Sequence, residues 1–151
     1  MIFREAKTTD ISQIQFVRNS VTENILSDPA LVTDADVVDY ITHRGKGWVC
    51  EMAEIIIGFS IVSVLDKNVW ALFIQPGFDN KGIGKRLHEE MINWYFAQTN
   101  ETIWLSTSPG TRAEQFYRKA GWKEVGNYGK GEIKFEMSAE HWKKCNKVQA
   151  I

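Results

Sequence analysis

The stretch Ile74-Gln75-Pro76-Gly77-Phe78-Asp79-Asn80-Lys81-Gly82-Ile83-Gly84-Lys85-Arg86 carries the clearest chemical signal in the chain. An apolar run enters it, Pro76 and Gly77 stop that run, and an amphipathic pattern leaves from Ile83. A helix that starts at Gly82-Ile83-Gly84 presents unpaired N–H groups and a partial positive charge, with no side chains on the glycines to hold a ligand away. That is the geometry of a site for a phosphate or another anion. Two nucleotide-binding loops are excluded by the letters. A Walker loop needs Gly-Lys-Ser/Thr where Gly82 is followed by Ile83, and a dinucleotide fingerprint needs three glycines early in a βαβ unit.

Other groups able to do chemistry are scattered. Lys81, Lys85 and Arg86 could add charge at the loop, and each reads equally well as a surface cation at a helix start. Tyr117 recurs with Ala113, Phe116 and Ala120 at helical spacing, which by itself describes a packed tyrosine. Glu23 ends the first helical pattern beside Asn24, and Glu51 interrupts an apolar strand; both are carboxylates open to a proton-transfer role or to an ordinary surface role. His43, His88 and His141 lack ligand spacing, so no metal site is expected. Cys50 and Cys145 are far apart, as expected for free thiols in a reducing cytoplasm.

The elements that must position these groups follow from periodicity. Ile2–Ala6 reads as a strand, a helix runs to about residue 25, and Ser27-Asp28-Pro29 breaks it. Thr33 caps a second helix that ends at Arg44-Gly45-Lys46-Gly47. Trp48–Ala53 and Ile55–Leu65 form strands joined at Glu54, with Gly58 marking a bulge or a close backbone neighbour. Val69–Ile74 lacks alternation and is expected to be a central strand covered on both faces. A helix to about Gln98, a strand at Thr102–Ser106, a short helix capped by Thr111, and a hairpin of Trp122–Tyr128 with Glu132–Met137 complete the order βααβββαβαββ, an α+β (mixed α/β) sheet, and a basic helix from Ala139 follows it.

With 151 residues, 44% of them hydrophobic, a single domain over 1–151 is expected, with 138–151 as terminal helix or tail. A net charge of −1 argues against a nucleic-acid partner. No apolar run approaches membrane-spanning length, so no membrane partner is expected. The aromatic residues of the closing hairpin are compatible with a homodimer.

Two motifs on these elements resemble the GNAT superfamily of acyl-coenzyme A-dependent N-acyltransferases. One is the strand followed by Pro76 and Gly82-Ile83-Gly84; the other is Phe116-Tyr117-Arg118-Lys119-Ala120-Gly121-Trp122. The resemblance implies a GNAT fold and an N-acetyltransferase that passes an acetyl group from acetyl-CoA to a primary amine of a small molecule or peptide, by direct attack in a ternary complex. It implies backbone contacts to the coenzyme from Phe73, Ile74, Gln75, Lys81, Gly82, Ile83, Gly84 and Lys85, with Arg112 or Arg118 toward its other phosphate. The central strand is expected to bulge near its end and to splay from its parallel neighbour, freeing an N–H around Phe73 to Gln75 for the acyl oxygen. Tyr117 would be the general acid, Glu23 or Glu51 the base, and Arg18, Asn24 and Trp70 would face the acceptor, where Arg18 could recognise an acidic group. Trp70 and Phe73 read equally as core, and Arg18 equally as a solvated helix residue. Two positions depart from the family pattern: Asp79 stands where Arg or Gln is usual, and Gly110 where Asn is usual. Those departures keep open a non-catalytic acyl-CoA-binding regulatory module.

Overall fold

A computed structural model describes residues 1–26 and 28–149, with backbone alone for 146–149. Seven strands form one sheet in the order β1-β2-β3-β4-β5-β7-β6. They are β1 (Ile2–Glu5), β2 (Gly45–Met52), β3 (Ile55–Ser63), β4 (Asn68–Ile74), β5 (Ile103–Thr107), β6 (Lys123–Tyr128) and β7 (Glu132–Met137). The helices are α1 (Ile11–Ser20), α2 (Asp34–Asp39), α3 (Ile83–Gln98), α4 (Arg112–Lys119) and α5 (Ala139–Gln149). Every neighbouring pair is antiparallel except β4 with β5. This is the mixed, mostly antiparallel α+β architecture that the order of elements predicts, and β4 is its central strand.

The sheet separates two cores. Against one face α3 lays Ile83, Leu87, Met91, Ile92 and Tyr95, a stripe at helical spacing, together with Tyr117 from α4 and Trp142 from α5. Against the other, α1 buries Ile11, Ile14 and Val17, and α2 contributes Val37. β4 is covered on both sides, by Val69, Leu72 and Ile74 in the first core and by Trp70, Ala71 and Phe73 in the second. Consecutive Trp70 and Ala71 share a face because the register with β3 jumps from Ile61↔Ala71 to Val62↔Val69, leaving Trp70 as an unpaired bulge residue. The expected bulge is therefore in the first half of β4 and not near its end.

Several boundaries are set by single interactions. The turn between β2 and β3 places Ala53 and Glu54 at φ 52° and 68°, the paired left-handed geometry of a two-residue hairpin. Thr33 and Thr111 cap α2 and α4 by accepting the N–H groups of Asp36 and Glu114. Ser138 Oγ accepts the His141 N–H at 3.1 Å at the start of α5. The expected helix to residue 25 instead ends at Ser20, where Val21 turns extended and the chain leaves to meet β5 and α4. Of the expected break that follows, Ser27 lies outside the described residues, and Asp28 accepts the Ala30 N–H to start a short turn of helix. Among the described residues no helix is long and apolar enough to cross a membrane.

Candidate active site

Three features meet where β4 ends. The first is a close approach. A Cβ on Gly58 would stand 2.9 Å from Ile74 Cδ1, 3.2 Å from Ile83 Cγ2 and 3.3 Å from Leu87 Cδ1, so only glycine lets β3 admit both the end of β4 and the start of α3. The register also shifts here, Cys50 pairing Gly58 and Glu51 pairing Ile56, which makes Ile57 the bulged residue.

The second is the helix start. Gly82 is the N-cap of α3 at φ 77°, with no side-chain cap, and Arg86 N–H is the first to close back, onto Gly82 O at 3.1 Å. The N–H groups of Ile83, Gly84 and Lys85 are the orphans of that first turn. No acidic residue lies in the turn, whereas Lys85 and Arg86 do. For a helix alone this charge pattern is unfavourable; for an anion seated on those N–H groups it is favourable. Lys81 and Lys85 are exposed and, among the described residues, in no ion pair, whereas Arg86 pairs with Glu90 at 3.3 Å. A Cβ on Gly84 would meet Ile74 Cγ1 and Phe116 Cε2 at an ordinary 3.9 Å, so neither crowding nor a left-handed φ requires glycine there.

The third is the gap between β4 and β5. Their pairing is confined to Asn68↔Trp104, beside the Trp104 N–H to Lys67 O bond of 3.0 Å, and beyond it the strands diverge. The splay expected from the resemblance is thus present. Gln75 N–H donates to Ile57 O at 2.8 Å. Alternation along an antiparallel ladder then turns the Phe73 N–H toward β3 as well, and leaves the Ile74 N–H facing the gap. Of the three expected donors, Gln75 and Phe73 are committed to the sheet, and Ile74 is free to point at a ligand.

Tyr117 reaches the first core from α4, 6% exposed, its ring 5.3 to 6.1 Å from those of Phe116, Trp122 and His88. Burial alone pushes its hydroxyl well above the usual tyrosine range, so it is a protonated phenol at neutral pH. Beside it the His88 imidazole, also buried, is lowered to about 4 and accepts the Trp122 Nε1–H at 3.0 Å.

The carboxylates expected to act as base are engaged elsewhere. Glu23 Oε1 accepts the backbone N–H of Arg112 at 3.1 Å, serving the N-terminus of α4. Glu51 pairs with Arg4 at 3.3 Å on the β1 side of the sheet. Asn24 ties the segment after α1 to the end of β5, accepting Ser108 N–H at 3.0 Å and donating to Thr107 Oγ1 at 3.2 Å. Arg112 meets Asp79 at 3.1 Å, so Asp79 neither caps α3 nor stands free. Arg118 is held by Glu114 at 2.9 Å and by Glu124, turned from the helix start. Nothing in the residue pattern singles out Glu132. Its carboxylate accepts the Ser106 hydroxyl at 3.4 Å, on the sheet face opposite Leu105 and Phe135 and hence on the α1 side of the gap.

On that face lies a cavity of about 220 Å³, lined by Trp70 and Arg18 among mainly apolar residues. Trp70 stacks on Tyr40 with ring centroids 3.8 Å apart, and the Arg18 guanidinium carbon sits 4.1 Å from the centroid of the Phe73 ring. A larger recess of about 560 Å³ lies at the other end of β4, where Arg44 is already paired with Asp39 and Asp66.

The model of the acetyltransferase (GNAT) domain matches residues 43–124, more than half of the chain and the whole span from β2 to the start of β6. The chain belongs to the GNAT acetyltransferase family. Solved GNAT structures share its fold. The PaiA N-acetyltransferase of Thermoplasma acidophilum, solved in complex with coenzyme A, superposes with a TM-score of 0.78 over 91% of this chain and 98% of that one, at 15% identity. A GNAT-family acetyltransferase of Staphylococcus aureus Mu50 gives 0.78 over 91% and 98%, at 19% identity. The ribosomal-protein-S18-alanine N-acetyltransferase of Escherichia coli gives 0.72 over 91% and 92%, at 15% identity. No curated protein matches this chain in sequence.

Proposed function

We propose that this GNAT acetyltransferase is an N-acetyltransferase of one catalytic domain, passing an acetyl group from acetyl-CoA to a primary amine by direct attack in a ternary complex. The observation that carries the reading is the opened edge of β4, with the Ile74 N–H facing the gap and the uncapped start of α3 beside it. These residues fit the coenzyme. Orphan N–H groups of Ile83, Gly84 and Lys85 suit a diphosphate, Lys81 and Lys85 add unpaired positive charge, and the splayed strand offers backbone to an extended amide-bearing arm.

Each residue then has a task. Ile74 N–H stabilises the acyl oxygen as negative charge develops on it. An alkylamine, ordinarily protonated at neutral pH, must lose a proton before it attacks, and Glu132, which accepts the Ser106 hydroxyl, is the carboxylate on the acceptor side of the gap that takes it. Tyr117, kept protonated by burial, supplies a proton to the departing thiolate. Arg112 exchanges Asp79 for a coenzyme phosphate.

The test is thiol release from acetyl-CoA with a panel of amines, alongside melting temperature with and without coenzyme A. A native-state ligand raises the melting temperature by mass action, so the absence of any shift at saturation refutes coenzyme binding altogether. A shift without thiol release on any amine leaves a non-catalytic acyl-CoA-binding module. Tyr117→Phe and Glu132→Gln are each expected to lower kcat by about 10²-fold or more, typical of a lost acid or base, with coenzyme affinity little changed. Full turnover in Tyr117→Phe returns that residue to a purely structural role.

A further inference from the structure

Among the described residues Arg18 is a cation without a counterion. It projects from α1 over the face of Phe73, and its Nη1 is sealed from solvent with no hydrogen-bond partner. Burial is the one influence on its titration, and it lowers the pKa. An aromatic face returns less than desolvation of a guanidinium takes away, so a cation held this way is incomplete without an anion. Among the described residues it is also the one charged side chain lining the 220 Å³ cavity, whose walls include Leu26, Val32, Phe59, Ile61 and Trp70. The other polar group there is committed: Gln15 Nε2 donates to Val32 O at 2.8 Å. The cavity shares a wall with the reacting edge, since Trp70 and Ala71 belong to the strand whose Ile74 N–H faces the gap.

We propose that this cavity is the acceptor site, that Arg18 binds a carboxylate on the acceptor, and that the substrates are small amines combining a carboxylate with an apolar body. The inference rests on the acetyl-transfer reading for the amine, but not for the anion. A single guanidinium among apolar walls matches one negative charge; a phosphate dianion would leave a charge buried without a partner. The apolar body packs against Trp70 and the aliphatic walls, while the amine end extends toward Glu132 and Ser106.

Two measurements test it. The first is calorimetric titration of 3-phenylpropanoate and 3-phenylpropanamide into the full chain and into Arg18→Met. The carboxylate should bind at least about tenfold more tightly than the amide, and Arg18→Met should erase the difference while holding or raising the melting temperature, because a half-buried charge with a sealed, unpaired Nη1 is removed. Equal binding of the two probes by the unaltered protein overturns the proposal, whether or not the variant folds. The second is thiol release from acetyl-CoA with amino acids of increasing amine-to-carboxylate spacing and their amides. A carboxylate preference in kcat/KM of tenfold or more that vanishes in Arg18→Met supports the assignment; preference for amides or for phosphorylated amines overturns it. Carboxylate-selective binding with no acetylation of any amine leaves the anion site standing and refutes the acetyl-transfer reading instead.

Discussion

Lys85→Glu should move stability and coenzyme affinity in opposite directions. The first turn of α3 carries Lys85 and Arg86, no acid and no side-chain cap, the reverse of what a helix N-terminus favours. Exposed Lys85 is in no ion pair among the described residues, so replacing it disturbs no contact of its own. A carboxylate at this third position can face the orphan N–H groups and should stabilise the free protein by about 0.3–1 kcal/mol, raising its melting temperature by roughly 1–4 °C. For a bound diphosphate the same change switches two charge units. At about 6 Å in a water-like dielectric, two units against about two negative charges amount to roughly 3 kcal/mol. Physiological salt halves that to about 1.4 kcal/mol, or tenfold in affinity. Melting curves with and without saturating coenzyme A should show a higher starting point for the variant and a ligand-induced rise smaller by about 3–6 °C. Raising the salt should narrow the gap between variant and wild type. A lower melting temperature without ligand, or an unchanged coenzyme shift at low salt, refutes the view that this helix start is poised for an anion.

Asp79→Asn frees Arg112 from an exposed pair and removes a negative charge beside the same loop. Titration calorimetry should show coenzyme A binding about two- to fivefold more tightly, with stability changed by no more than about 1 kcal/mol; weaker binding would mean that Asp79 positions the loop. His88 is held neutral in the fold, its pKa lowered to about 4 from an ordinary 6.5. Its contribution is therefore complete above the unfolded value and is lost as pH falls from about 6.5 toward 4, so this one group should cost about 2 kcal/mol between pH 7 and pH 5. Urea unfolding at the two pH values should show that loss in the native protein and a smaller one in His88→Gln, whose amide oxygen can still accept from Trp122; an equal loss in both excludes His88 as the source. Because Tyr117 is raised, no basic limb of the pH–rate profile below about pH 10 should belong to it, and Tyr117→Phe should leave any limb in that range where it was.

The fold was legible because its main signals are local. The stripe of α3 from Ile83 to Tyr95, the unbroken apolar run of β4, and the caps at Thr33 and Thr111 each settle an element within a few residues of themselves. The backbone part of the site was legible for the same reason: a helix start at Gly82 and a glycine at 58 announce an orphan N–H and a close approach whatever the rest of the chain does. The end of α1 was not legible. Helical spacing continues to Ile25, but Asn24 gains three hydrogen bonds with Thr107 and Ser108, more than eighty residues away in sequence. Ile25, which the periodic pattern counted as core, is left 66% exposed. A tertiary tie of this kind outweighs the small per-residue preference for continuing a helix.

Side-chain roles divide along the same line. A carboxylate's function depends on which partner the fold brings to it. Glu23 and Glu51 stand out for where they sit in the chain, and the fold gives them to the Arg112 N–H and to Arg4. Glu132 offered no sequence signal because its partner Ser106 lies on a different strand, adjacent only once β5 and β7 pair. Arg18 shows the opposite case. At helical spacing between Val17 and Val21 it is indistinguishable from a solvated arginine, and what marks it is that no carboxylate among the described residues meets it. A missing partner can be recognised only when every neighbour is known. On the acceptor side the chain therefore offers candidates, Arg18 and Trp70, and the fold supplies the reason to choose them, while the coenzyme side could be read from the chain.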